Sequence, residues 1–129
     1  MKKLLYTFVI LFVANITFAG ELDSILSEAR TLKAKKDYTE AIKTFEKYIK
    51  LAKYENLKDV YVEIANCNFY LGKKDIAVKY IKKAITDYGF KESDFIYNPA
   101  IDPQLSDYAL AQVYDELDKL QNRYLATND

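Results

Sequence analysis

The sequence predicts an all-α protein: two repeated helix–turn–helix units (an α-solenoid), then a short helix and a long C-terminal capping helix. Three observations carry this. The series Ile25, Ala29, Leu32, Ala41, Phe45, Tyr48 recurs 36 residues later as Tyr61, Ala65, Asn68, Ala77, Ile81, Ala84. A fixed period in the thirties marks stacked helical pairs. Only three Gly and two Pro occur in 129 residues, and half the residues are hydrophobic, which suits long helices better than a turn-rich sheet. Lastly, Leu110, Val113, Leu117, Leu120 and Tyr124 alternate at spacings of three and four, the stripe of an amphipathic helix.

Residues 1–19 read as an export signal. Lys2 and Lys3 form a charged start, Leu4 to Phe18 is an apolar run, and Ala19 is a small residue suited to cleavage. The run is shorter than the roughly 20 residues of a membrane-spanning helix, so stable membrane insertion is not expected after cleavage. Location in the periplasm or outside a bacterial cell follows. Without Lys2 and Lys3 the mature chain keeps 17 basic and 19 acidic side chains.

Residues 20–89 hold the repeats. The first helix is expected over Leu22–Lys35. A second follows from Asp37, with Glu40 placed for a capping box and Ala41, Ile42, Phe45, Tyr48, Ile49 and Ala52 inward. The third spans Leu57–Leu71, with Gly72 as a left-handed cap. The fourth runs from Lys74 to Tyr88 with Ile76, Ala77, Tyr80, Ile81, Ala84 and Ile85 inward, and Gly89 ends it. Residues 90–129 form a terminator segment and capping helix. Lys91–Tyr97 is a short helix, and Asn98-Pro99 and Asp102-Pro103 each pair a good N-cap with a proline suited to the first helical position. The last helix is expected over Pro103–Leu125. It covers the open end of a two-repeat stack, or else serves as a homodimer seam through Leu110, Val113, Leu117, Leu120 and Tyr124.

Tyr38-Thr39-Glu40-Ala41-Ile42 with Phe45 and Tyr48, and Leu71-Gly72-Lys73-Lys74-Asp75-Ile76-Ala77 with Ile81 and Ala84, resemble the tetratricopeptide repeat family. The doubled proline segment resembles the closing stretch that follows the last repeat in some bacterial members. Glu28, Asn68 and Lys74 depart from the family pattern, and each copy is two residues longer than usual. The resemblance implies a concave surface lined by the first helix of each pair, here Leu26, Arg30 and Lys33, then Val62, Asn66, Phe69 and Tyr70. A protein or peptide segment would lie there, its backbone or carboxylate held by asparagine and basic side chains. If Phe69 and Tyr70 pack under the C-terminal helix instead, that groove is closed.

Charge is uneven. Lys33–Lys83 holds 13 Lys against 7 acids, whereas residues 84–129 hold 3 basic side chains against 9 acids. A net charge near zero argues against a nucleic-acid partner. Histidine is absent and Cys67 is alone, which removes the commonest general base, the commonest metal ligand and any internal disulfide. No phosphate loop, metal-spaced cluster or nucleophile elbow occurs. Asp94, Asp102 and Asp107 lack the alternation of a calcium loop, and Asp59/Glu63 and Asp115/Glu116 read as charged helix faces. The expectation is a non-catalytic interaction module of the bacterial envelope with no catalytic residue, cofactor or metal. A self-associating envelope protein is the alternative.

Overall fold

The computed structural model describes residues 20–53 and 55–128. The expected signal, Met1–Ala19, lies outside the described residues, and so do Tyr54 and Asp129. The helices are α1 (20–34), α2 (Tyr38–Leu51), α3 (Lys58–Tyr70), α4 (Lys74–Tyr88), α5 (Glu92–Tyr97), α6 (Pro103–Val113) and α7 (Leu117–Asn128). A single 3₁₀ turn, Tyr114–Glu116, links α6 to α7. The described residues are all-helical, and the long C-terminal helix runs from 103 to 128 with that turn inside it.

Helices α1–α2 and α3–α4 are the two pairs. Ala29, Ala65, Ala41 and Ala77 are all fully buried, since only a methyl group fits where paired backbones come closest. Phe45 and Ile81 fill the wider gaps and are also fully buried. The turns are copies too. Asp37 N–H bonds Leu32 O and Lys36 N–H bonds Lys33 O; 36 residues on, Lys73 N–H bonds Asn68 O and Gly72 N–H bonds Phe69 O. This wrap requires a left-handed residue after the helix. Gly72 supplies it at φ 79°, and in the first copy Lys36 is forced there at φ 64°.

The C-terminal segment forms a third, altered pair. Lys58 meets Asp94, Asn66 meets Ala100 and Asp102, and Tyr70 meets Asp102. The contacts advance together, so residues 94–102 run alongside α3 in its own direction. That is the place of a next repeat's first helix, filled by short α5 and a turn. Helices α6–α7 then run along α4 in the same direction: Lys74 lies over Tyr108, Lys82 pairs with Glu116, and Tyr124 lies on Gly89. Phe90 and Phe95 cross edge-to-face at 4.9 Å beneath this segment, and Ser106 Oγ donates to the Phe95 carbonyl.

Four expectations change. Val113, Leu117 and Leu120 are buried in the chain's own core, with Leu110 and Tyr124 half-buried. The stripe therefore packs against α4 as a capping helix, and the alternative of a homodimer seam loses these side chains to the chain's own core. Asp37 caps nothing with its side chain. The left-handed turn delivers it at φ −86°, ψ 70°, away from the extended backbone that aims a capping oxygen; Glu40 pairs instead with Lys43. Asn98 begins no helix: its Oδ1 accepts Ala100 N–H at 2.9 Å, a side-chain turn. Only Asp102-Pro103 behaves as expected, with Asp102 Oδ1 accepting from Gln104 and Leu105 N–H. Ile76 faces solvent while Val78 is buried, since α6–α7 lies along α4 and moves that helix's buried arc.

The three left-handed positions among the described residues separate two costs. Lys36→Gly removes the side-chain clash and is expected to stabilise by about 0.5–1 kcal/mol in thermal unfolding. Gly72→Ala, with nothing near its added methyl group, should cost about 1 kcal/mol. Gly89→Ala places a Cβ 2.8 Å from the Tyr124 ring and should cost about 1–3 kcal/mol more than Gly72→Ala.

Candidate functional site

The expected binding residues divide between two helices with opposite fates. Every α3 residue from Val60 to Asn68 is buried, so a helix read as half-open is enclosed. Its polar side chains then need partners, because an unpaired buried polar group costs about 1–3 kcal/mol. Glu63 accepts from Arg30 Nε and Nη2 at 3.2 Å and from Lys33 Nζ at 2.8 Å, with its own side chain 7% exposed. Asn68 turns back to donate to Ile64 O within its own helix. Asn66 Nδ2 donates to Ala100 O at 2.7 Å, and its Oδ1 accepts from Asp102 N–H at 2.9 Å.

Asn66 therefore reads a peptide backbone, and that backbone is the chain's own. Val62 is fully buried and Asn66 is 4% exposed; the 98–102 turn lies over Asn66. Phe69 is half-buried with its ring 6.2 Å from that of Tyr108. Lys74 Nζ sits 5.9 Å from Phe69 and 5.2 Å from Tyr108, a cation between two ring faces. That contact gives a physical reason for lysine where the repeat pattern usually has an aromatic. Tyr70 stays 44% exposed, donates to Asp102 and lies tilted against the Tyr38 ring at 4.9 Å.

What remains open lies on α1 and beside α5. Leu26 and Arg30 line a trough along α1 with Asp23, Ser27 and Ala34. Lys33 is half-buried against Glu63. A second trough runs between Lys58, Asp59, Tyr97 and Pro99, and Tyr97 is 79% exposed. Sequence reasoning passed over Tyr97; three aromatic or aliphatic residues in a row, Phe95-Ile96-Tyr97, before Asn-Pro on a helix of only six residues were its one signal. Cys67 is fully buried and its thiol is pushed up to about 11 by burial, a packing residue rather than a nucleophile. No group of His, Cys, Asp and Glu that could hold a metal occurs among the described residues.

A tetratricopeptide repeat profile matches residues 22–55 and 58–86. No curated protein and no solved structure matches the chain. Residues 22–86 are two tetratricopeptide repeats, units that act as protein–protein interaction modules and typically carry no catalysis.

Glu63→Gln leaves two cations facing each other and should destabilise by about 1–3 kcal/mol in denaturant unfolding; Arg30→Met, which leaves Lys33 in place, should cost less. At alkaline pH, burial and carboxylate partners raise Tyr80 to about 12 and Tyr70 further, and burial raises Tyr48, Tyr61 and Tyr88. A raised folded-state value means the folded chain holds the proton more tightly. The stabilisation is complete below the ordinary tyrosine value near 10 and lost as pH rises through the folded values. Tyrosinate absorbance should therefore show a late group of tyrosines that ionises together with unfolding.

Proposed function

We propose that this tetratricopeptide repeat protein is an exported interaction module of the bacterial envelope, binding an extended protein segment through the part of its concave side left uncovered. The observation that carries this is the unequal fate of the two first-helices. On α3 the backbone-reading asparagine is engaged by the chain's own 98–102 turn. On α1 the corresponding face is an open trough lined by Leu26, Arg30, Asp23 and Ser27.

A segment crossing from α1 towards α5 has Arg30 to meet on α1, half exposed despite its bond to Glu63, and Tyr97 at the α5 edge. Arg30, Lys33 and Lys35 stand against Glu63 and Asp23, which leaves one positive charge in excess and suits an acidic or carboxylate-bearing partner. Export rests on the sequence alone: the charged start, the apolar run and the small residue at Ala19.

Photo-crosslinkers placed at Ser27 and Tyr97 in the native envelope should capture the same partner, and one at Lys47 on the outer face of α2 should not. Arg30→Met, which leaves Lys33 to hold Glu63, should lower capture in the folded chain. Equal capture from all three positions would contradict the concave reading. Mass spectrometry of the protein from culture should give a mature start at Gly20; an intact leader would contradict export with cleavage.

A further inference from the structure

We propose that the cavity at the Gly89 end of the bundle binds a small monocarboxylic acid with an apolar body, at a site separate from the concave face. The cavity measures about 390 Å³, within the roughly 300–1,000 Å³ usual for small-molecule sites. It lies where the start of α3, the end of α4 and the last turns of α7 meet. Ile85 and Phe90, both fully buried, make its floor. Tyr88, Tyr124 and Leu125 make its walls, and Leu125 is left 54% exposed at the mouth.

The wall is close-built. Tyr124 lies so near Gly89 that a Cβ there would meet its ring at 2.8 Å, so only glycine lets the ring lie against the backbone. The polar lining is one-sided. Lys58 and Lys91 line the cavity, while no aspartate or glutamate among the described residues does. Lys58 lies 3.6 Å from Asp94, whose carboxylate also accepts Lys91 N–H. The Lys91 ammonium has no carboxylate within 4.0 Å among the described residues. Two ammonium groups against one carboxylate leave a positive rim above an apolar floor. An aliphatic or aromatic chain satisfies the floor and a single carboxylate satisfies the rim; an uncharged or cationic amphiphile leaves Lys91 unmatched.

Amide chemical-shift titration of the mature protein tests this with octanoate as the probe, beside 1-octanol, acetate and a tetrapeptide ending in a free leucine carboxylate. Saturable shifts at Ile85, Gly89, Lys91 and Leu125 are expected with octanoate, weaker ones with octanol and none with acetate. Lys91→Met, exposed enough to leave the melting temperature unchanged, should weaken octanoate binding about 1.5–5-fold, the range of one exposed ion pair. Equal affinity for octanol and octanoate, an unchanged affinity in Lys91→Met, shifts centred elsewhere, or no saturation would each overturn the proposal. Tighter binding of the tetrapeptide than of octanoate would overturn the small-acid assignment and make the site a reader of chain ends.

Discussion

A helix buried on every side must satisfy each of its polar side chains inside the protein, and α3 is that helix. From Val60 to Asn68 every residue is buried, yet the helix carries Glu63, Asn66 and Asn68. Each is answered differently: Glu63 by two cations from α1, Asn66 by backbone from the C-terminal segment, and Asn68 by its own helix. These bonds set the neighbours of α3 as firmly as its apolar contacts do, since leaving any one unmade strands a buried group. The first pair and the terminal segment are thus both tied to the same central helix.

The consequence for function is a two-repeat stack with one half of its inner side closed. The altered third pair gives α3 the neighbour it would have in a longer solenoid, with six helical residues and a turn where a full helix would stand. Phe90, Phe95 and Ile101 anchor that segment in the core. The closure is therefore part of the fold and not a loose cover. In the proposed reading, recognition is left to α1 and to the edge that α5 presents.

Much of the fold was legible because it rests on local patterns. The 36-residue recurrence located both pairs, and Gly72, Gly89 and Asp102-Pro103 marked real ends through backbone chemistry that a sequence displays openly. Lys36 was not legible by itself, since lysine signals no turn; only its register with Gly72 shows that it must go left-handed. The site was less legible. Val62 and Asn66 lie on the face a repeat normally opens, and nothing nearby in sequence says that residues 94–102 return to cover it. The same long-range packing buried Val113, Leu117 and Leu120, which by spacing alone suited a partner helix equally well.

The closed inner side of α3 is the claim on which the rest depends, and hydrogen exchange at the Asp102 amide tests it most directly. That N–H bonds the buried Asn66 side chain, so in the folded protein it should exchange only as slowly as the core helices open, and in Asn66→Ala it should become fast while α2 and α4 stay protected. An Asp102 amide that exchanges in the unsubstituted protein as freely as a solvent-exposed loop would mean that the segment does not lie on α3, and that the groove is open after all.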